Sequence, residues 1–309
     1  MAERVAVLMG GVSAEREVSL VSGAQCAAAL RDAGYAVDEI DVTADIAGLV
    51  SALTPHPDVV FNALHGRYGE DGNIQGLLNL LGIPYTHSGV LASALAMDKQ
   101  AARQMFVTAG IPVADGRVVH RDDLIAGDPM IRPYVVKPVN EGSSVGVLIV
   151  RPGDNQVLPD DLAILPETLL VERYIPGREL TVAVMGTDAE EPRALAVTEL
   201  RTASGFYDYA AKYVAGKTEH FIPAPIDDAV SSEAMTFAVA AHRVLGCRGV
   251  TRADFRYDDT AGAPGELVLL EVNTQPGMTP LSLVPEQARH CGIEFPKLVS
   301  WMVEQARCD

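Results

Sequence analysis

The stretches Arg252–Asp254 (RAD) and Glu271–Asn273 (EVN) each place two polar side chains two residues apart within an apolar run. In a β-strand, successive side chains point to opposite faces, so each polar pair shares one face at a spacing of about 6.6 Å. The turn-forming residues between 258 and 265 predict that the two strands form a hairpin. The opposite face of the hairpin is predicted to be apolar and to carry Thr251, Ala253, Phe255, Val268, Leu270 and Val272.

As hairpin neighbours, these strands would bring two carboxylates, one amide oxygen and one guanidinium to a single patch. Carboxylates this close repel each other unless a cation lies between them. Hard oxygen ligands indicate Mg²⁺, which usually completes its octahedral shell with water and substrate phosphate. A solvated face with surface ion pairs is the alternative and would be favoured for one strand alone, but the two strands together favour a metal site.

Composition limits the classes of protein that this chain can represent. Its 309 residues, 48% of them hydrophobic, are enough to bury the cores of two or three domains. The net charge of -17 argues against nucleic acid or an anionic membrane as a partner, because both attract basic surfaces. The four cysteines lack metal-binding or redox spacing. Without a signal-peptide pattern or an apolar run of roughly 18 residues, the chain is expected to be cytoplasmic.

The N-terminal region alternates apolar strands with helices. Val5–Met9 precedes a helix predicted near Ser19–Ala33, and Val59–Phe61 precedes one near Ile74–Leu81. This alternation predicts a parallel sheet. A dinucleotide site is disfavoured, because the G-x-G-x-x-G pattern is missing and Glu15 stands where the pyrophosphate would dock. Glu15 is a candidate partner for an ammonium group, with helix capping as the open alternative.

A second candidate site lies in the middle of the chain. The strand Pro133–Pro138 carries Lys137, and the loop Asn140–Gly146 leads into the strand Val147–Val150. Small residues in such a loop let backbone N–H groups and hydroxyls approach phosphate oxygens, while the lysine supplies a positive charge. The lysine precedes the glycines, so this is not a Walker A motif. A glycine and serine turn without a ligand remains the alternative.

Two glutamates at strand ends and one long polar segment complete the candidates. Glu172 on the strand Leu169–Ile175 and Glu179 before the next strand are candidates for binding an adenine amine and ribose hydroxyls, with solvated strand ends as the alternative. The segment from Arg201 to Phe221 is long, polar and aromatic. Such a segment predicts a mobile lid over bound substrates.

Taken in order, these motifs resemble the D-alanine–D-alanine ligase family of ATP-grasp enzymes over almost the whole chain. The motifs that carry the resemblance are Gly10–Ser19, Leu64–Gly66, Met97–Lys99, Lys137-Pro138, Glu141–Gly146, Phe206–Tyr213 and Asn273–Thr279. The resemblance implies an α/β protein in which a parallel-sheet N-terminal domain is followed by a two-part ATP-grasp fold of the α+β class. It implies an N-terminal parallel-sheet domain over 1–94, a central domain over 95–176, and a C-terminal domain over 177–309 with the metal site and a lid at 201–221.

The resemblance also implies a reaction and the residues that perform it. ATP phosphorylates the carboxylate of one D-alanine, and the amine of a second D-alanine displaces the phosphate. The implied nucleotide-binding residues are Lys99, Lys137, Ser144, Glu172, Arg173, Tyr174, Ile175, Glu179 and Lys212. Two Mg²⁺ or Mn²⁺ ions are implied at Asp254, Glu271 and Asn273. The implied catalytic residues are Glu15, Ser143, Tyr213, Arg252 and Gly277, and the implied substrate-binding residues are Val18, His65, Ser282 and Leu283.

Two other functions are alternatives to this expectation. A ligase that joins D-alanine to D-lactate would lack the lid pair formed by Lys212 and Tyr213, which this chain has. A non-catalytic nucleotide-binding module would have lost a metal ligand or a lysine, and none is missing. Gln275 and Pro280 depart from the family pattern beside the second substrate. A homodimer is implied, and the helix at Phe295–Ala306 is predicted to be core.

Overall fold

The computed structural model describes residues 3–142, 146–154, 162, 165–187, 191–202, 218–260, 262–279 and 282–309. Within these residues the strands form three β-sheets. The first sheet is parallel, as predicted, and its strands are β1 (Arg4–Gly10), β2 (Ala36–Val42) and β3 (Val59–Asn62). Their order in the sheet is β2-β1-β3. Its helices are α1 (Arg16–Asp32), α2 (Ile46–Ala52) and α3 (Asn73–Leu81). The apolar runs of β1 and β3 are buried, as expected for parallel strands covered on both faces.

Two helices connect the first sheet to the second, and they meet at Asp98. The helices are α4 (Val90–Met97) and α5 (Lys99–Thr108). The Asp98 carboxylate accepts hydrogen bonds from the first N–H groups of α5, which fixes the start of this helix.

The second sheet is antiparallel, with the order β4-β7-β5-β6. Its strands are β4 (Gly116–His120), β5 (Tyr134–Pro138), β6 (Leu148–Val150) and β7 (Thr168–Arg173), and the helix α6 (Arg121–Ala126) follows β4. The predicted β5–β6 hairpin is confirmed.

The third sheet contains the two stretches Arg252–Asp254 and Glu271–Asn273. It is antiparallel, with the order β10-β9-β8-β11-β12, and consists of β8 (Arg178–Gly186), β9 (Arg193–Thr202), β10 (Thr218–Phe221), β11 (Gly249–Asp258) and β12 (Glu266–Asn273). The remaining helices of the described chain are α7 (Asp228–Val244), α8 (Leu283–His290) and α9 (Phe295–Glu304). Buried side chains of α9 pack in one core with α1 and β1, which confirms the prediction of a core helix.

The predicted β11–β12 hairpin forms, and its register has one irregularity. Asp254 lies opposite Glu271, but Phe255 lies opposite Leu269, so Leu270 is an extra residue that forms a bulge. Residues before the bulge therefore change face relative to a regular strand. The prediction that Val268 and Leu270 face the core with Phe255 was wrong. Leu267 and Leu269 face that core instead, Leu270 is half-buried, and Val268 packs with Ala114 and Ile175.

The end of the chain lies beside the first sheet. Tyr85 bridges to both Val60 and Arg307, and the Asp309 carboxylate accepts a hydrogen bond of 2.7 Å from the N–H of Val90. The predicted domain boundary at residues 94–95 lies inside α4, and the boundary at 176–177 lies between β7 and β8. The division into three domains stays a prediction. In the described part of the chain, no helix is long and apolar enough to span a membrane.

Candidate active site

A central cleft opens where the loops after β1 and β3 face the β11–β12 hairpin. It encloses about 900 Å³, part of it open to solvent. Nine of the predicted site residues line it, namely Glu15, His65, Lys99, Arg252, Glu271, Asn273, Gly277, Ser282 and Leu283. Residues from opposite ends of the sequence therefore meet in one cavity, which can hold small polar molecules against both sides.

The hairpin carries a compact group of charges beside the cleft, in which Arg252 and Glu271 line the cleft and Asp254 does not. The guanidinium of Arg252 donates two hydrogen bonds, of 2.8 and 2.7 Å, to the two carboxylate oxygens of Asp254. The hydroxyl of Thr181 donates a third, of 2.8 Å, to the same carboxylate. Glu271 lies opposite Asp254, and its Oε2 is 3.5 Å from Nζ of Lys99. Two carboxylates at facing positions are thus each stabilised by a cationic side chain.

The donor set of the hairpin fits a hard divalent cation. Asp254, Glu271 and Asn273 present only oxygen ligands, and they occupy neighbouring cross-strand positions. The Asn273 Oδ1 accepts a hydrogen bond of 2.8 Å from the N–H of Gln275, which orients the amide. Among the described residues, no group of three or more His, Cys, Asp or Glu side chains is arranged to hold a metal ion. Water and phosphate oxygens would complete the coordination shell.

Glu15 presents its carboxylate to the cleft from the start of α1. It occupies the N-cap position but makes no capping hydrogen bond with its side chain, so helix capping does not explain it. A β-carbon on Gly66 would stand 2.8 Å from Glu15 Oε2, and one on Gly142 would stand 3.2 Å from it. Gly66 has a positive φ of 67°, which favours glycine, and a side chain there would also press on Glu15. The hydroxyl of Ser13 accepts from the N–H of Glu15 and donates to the carbonyl of His65, which fixes the loop.

A second carboxyl, Glu70, stands beside Glu15 and was not predicted from the sequence. Its Oε1 lies 3.5 Å from the point where a β-carbon on Gly142 would stand, close to Glu15 Oε2. Burial and, to a smaller extent, the negative charge of Glu15 together raise the pKa of Glu70 to about 8. The sequence signal was present, because Glu70 follows the Leu64–Gly66 motif by four residues. Two adjacent carboxyls in a cleft suit the binding of an ammonium group.

His65 lines the cleft, and its ring also contacts a neighbouring element of the fold. Its Nε2 lies 3.3 Å from the hydroxyl of Ser22, which also accepts a hydrogen bond from the N–H of Met278. The ring also hydrogen-bonds the backbone of Gln275. Burial lowers the pKa of His65, although the charge of Glu15 opposes the shift, so the imidazole is neutral at pH 7. His65 therefore lines the cleft and also contacts α1, and its role in substrate binding stays a prediction.

Ser282 and Leu283 stand at the start of α8, next to the loop that contains Gly277. The Ser282 hydroxyl accepts a hydrogen bond of 2.9 Å from the N–H of Thr279. A β-carbon on Gly277 would stand 3.0 Å from this hydroxyl, so glycine keeps the loop and the helix close. The start of a helix attracts a carboxylate through its free N–H groups.

Two of the predicted nucleotide-binding residues, Lys137 and Glu172, belong to a separate, buried charge cluster. Glu172 on β7 contacts Nζ of Lys137 on β5 through one carboxylate oxygen and the guanidinium of Arg103 through the other. Arg103 was missed, because no motif marks a charged residue on the buried face of α5. Glu179 lies 3.4 Å from the guanidinium of Arg256. The structure thus brings Lys137 and Glu172 together, on strands that do not line the central cleft.

The other predicted residues fall into two groups, those that lie in the described part of the chain and those that lie outside it. Val18 is buried in α1, Arg173 pairs with Glu266, Ile175 packs against Val268 of β12, and Tyr174 lies between Arg173 and Ile175 on the segment after β7. Ile175 therefore joins the second sheet to the third. The predicted residues outside the described part of the chain are Ser143, Ser144, Lys212, Tyr213 and Pro280, together with lid residues 203–217.

Comparison with known families agrees with this geometry. The family model described as D-ala D-ala ligase C-terminus matches residues 105–304, and the one described as D-ala D-ala ligase N-terminus matches residues 47–88. The chain belongs to the D-alanine–D-alanine ligase family. Members of this family are ATP-dependent ligases that use a divalent metal ion, so the classification as an ATP-grasp ligase is confirmed.

Relatives in this family match the chain from end to end. The D-alanine–D-alanine ligase of Acidiphilium cryptum is 62% identical over 99% of both chains, and that of Paramagnetospirillum magneticum is 62% identical over 100% of both. The solved D-alanine–D-alanine ligase from Bacillus anthracis superimposes with a TM-score of 0.81 at 32% identity, covering 98% of this chain and 97% of that one. The VanG D-Ala:D-Ser ligase from Enterococcus faecalis also has a TM-score of 0.81, at 29% identity and 99% coverage of each chain.

Proposed function

We propose that this enzyme ligates two D-alanine molecules to D-alanyl-D-alanine through an acyl phosphate, for peptidoglycan precursor synthesis. The observation that carries the proposal is the central cleft, where Glu15, Arg252, Glu271, Asn273 and Gly277 meet. Relatives that match the chain over 99% or more of its length are named for this reaction. The cytoplasmic location and the homodimeric state stay predictions.

Glu15 binds the ammonium group of the first D-alanine. This ammonium group must lose its water on entering the cleft, and a charge buried without a partner costs several kcal/mol. The backbone N–H of Glu15 donates to Ser13, whose hydroxyl donates to the carbonyl of His65, so the loop that carries Glu15 into the cleft is fixed. Glu70 lies beside Glu15 and provides a second carboxyl for the same group. The carboxylate of the bound D-alanine then points toward the hairpin.

Asp254, Glu271 and Asn273 hold two Mg²⁺ or Mn²⁺ ions, which neutralise phosphate charge when bound. Arg252 stands next to these ligands and stabilises negative charge on the acyl phosphate. The backbone N–H of Gly277 supplies the second donor of an oxyanion hole. Donors fixed in this way act without reorganising during the reaction, which is why they lower the barrier.

ATP binds between the second and third sheets. Lys99, Lys137, Ser144 and Lys212 hold the phosphates, while Glu172, Glu179 and the segment from Arg173 to Ile175 bind the adenosine. The contact of Ile175 with Val268 supports this placement, because it puts an apolar surface between the two sheets. The buried pair of Lys137 and Glu172 links the phosphate side to the adenosine side.

The second substrate enters with its carboxylate at Ser282 and Leu283, and its amine attacks the acyl phosphate. The C–N bond forms as the bond between the acyl carbon and the phosphate oxygen breaks, and phosphate leaves. Ser143 and Tyr213 hydrogen-bond with Glu15 to order the lid over both substrates. The similarity to the VanG D-Ala:D-Ser ligase makes D-serine a second candidate for this acceptor.

The test is ATP-dependent phosphate release with D-alanine, followed by mass spectrometry of the product. D-Alanine alone should support turnover and give the dipeptide, while L-alanine should not. Adding D-serine or D-lactate to D-alanine identifies the preferred acceptor from the mass of the product. The absence of phosphate release that depends on D-alanine would refute the proposed function.

A further inference from the structure

The side chain of Gln275 points away from the cleft, although its position in the sequence suggested a place beside the second substrate. Gln275 stands between the proposed metal ligand Asn273 and the proposed oxyanion donor Gly277, and it was expected beside the second substrate. Its side chain turns away from the cleft, and the residue is only 1% exposed. Gln275 is also absent from the residues that line the cleft. Its amide therefore does not contact the substrates.

The amide of Gln275 instead reaches into the first sheet. Its Nε2 donates to the backbone carbonyl of Leu64, and its Oε1 accepts a hydrogen bond of 2.7 Å from Nδ2 of Asn62. The backbone N–H of Gln275 donates to Oδ1 of Asn273. One residue therefore connects the end of β12 to the end of β3, across more than 210 positions of sequence.

The groups held by Gln275 belong to the loop that binds the first substrate. Asn62 accepts from the N–H of Leu64 at 3.2 Å and donates to the carbonyl of Gly69 at 3.0 Å. Leu64 directly precedes His65, and Gly69 directly precedes Glu70. The buried hydrogen-bond network thus holds the loop at both of its ends, Leu64 and Gly69, and this loop carries His65 and Glu70 into the cleft.

We propose that Gln275 is a positioning residue that fixes the Gly277 N–H relative to the first D-alanine, an inference that rests on the proposed function. The amide suits this task because it donates to one partner and accepts from the other at once. Methionine of similar length does neither, and glutamate cannot donate. An oxyanion donor works only at hydrogen-bond distance, and a misplacement of about 1 Å costs about 10²-fold in rate.

The test compares Gln275→Met with Gln75→Met. Gln75 is the matched control, because it is equally buried and donates 3.0 Å to the carbonyl of Gly69 in the same loop. Its hydrogen bond to Gly69 does not reach the loop that contains Gly277. Gln275→Met should lower kcat for dipeptide synthesis by about 10- to 100-fold and leave the KM for ATP unchanged. Gln75→Met should lower the melting temperature while kcat stays within about two-fold of wild type.

A second measurement separates positioning from loss of stability. Gln275→Leu removes one partner of the Asn62 amide and leaves the carbonyl of Leu64 without its donor, so its melting temperature should also fall. Its kcat is therefore measured at a temperature at which circular dichroism shows the variant fully folded, and the loss of kcat should persist there. Return of kcat to the wild-type value at that temperature would mean that Gln275 acts only through stability.

Three further results decide the inference. It is overturned if Gln275→Met keeps kcat within two-fold of wild type, or if Gln75→Met loses kcat equally. If Gln275→Met does not fold, Gln275→Glu, which keeps the shape and the acceptor, replaces it, and an unchanged kcat in that variant overturns the inference. Wild-type turnover with D-alanine is measured first, so its failure would count against the proposed function and not against the role of Gln275.

Discussion

Substituting Glu172 by glutamine tests the buried charge cluster. The side chain of Glu172 is 5% exposed, and those of its partners Arg103 and Lys137 are 10% and 11% exposed. Glutamine has nearly the same shape as glutamate but no charge. The substitution therefore leaves two cationic groups in the protein interior, facing an amide that is itself a donor.

The expected cost is large because the pair is buried. Removing one partner of a buried ion pair costs about 3–5 kcal/mol, since the other charge stays desolvated. This is a major part of the about 5–15 kcal/mol by which a typical folded protein is stable. Glu266→Gln is the matched control, because Glu266 pairs with Arg173, the next residue along β7, on the surface. Breaking an exposed pair of this kind costs about 0–1 kcal/mol.

The measurement is equilibrium unfolding in urea, followed by far-ultraviolet circular dichroism for wild type and both variants. Glu172→Gln should lower the free energy of unfolding by about 3 kcal/mol or more, and Glu266→Gln by less than about 1 kcal/mol. Equal, small losses in the two variants would refute the reasoning, because they would show that the Glu172 carboxylate is not paired in the interior.

Three further predictions concern the metal site, the first substrate and pH. Asp254→Asn and Glu271→Gln should each lower kcat by at least about 10²-fold without loss of circular dichroism signal, and wild-type turnover at low Mg²⁺ would contradict the metal site. Glu15→Gln should lower kcat/KM for D-alanine by about 10²-fold while the affinity for an ATP analogue stays within about two-fold, and unchanged D-alanine kinetics would contradict the assignment. Burial lowers the pKa of His87 to about 3 and that of His242 to about 4, so below pH 6.5 only the unfolded chain binds these protons. The free energy of unfolding should therefore fall by about 1.4 kcal/mol per pH unit for each histidine as pH drops from about 6 to 4.5, and urea unfolding should show a shallower fall in His242→Gln.

Local pattern was enough to predict the parts of the fold that depend on neighbouring residues. The alternation along β11, with Arg252 and Asp254 on one face, follows from strand geometry and is borne out by burial. The alternation of apolar runs and helices in the first 81 residues predicted the parallel sheet. These features need no knowledge of what lies across the fold.

Features that depend on distant partners could not be predicted in this way. The bulge at Leu270 reverses the facing of Val268, and nothing in the apolar run before Glu271 marks it. Arg103 is held by Glu172, which lies 69 residues away. Gln275 looks like a substrate contact until the structure shows its amide bound to β3. Each of these side chains is directed by tertiary contacts that no local pattern records.

The bulge at Leu270 also determines where β12 can change in length. Leu270 is the extra residue, because Asp254 pairs with Glu271 and Phe255 pairs with Leu269. Removing Leu270 would give a regular strand in which all remaining side chains keep their present face. Removing Val272 instead would make Glu271 and Asn273 adjacent, so that only one of their side chains faces the cleft. A one-residue loss within β12 is therefore tolerated at the bulge, while a loss closer to the end of the strand removes a binding group from the cleft.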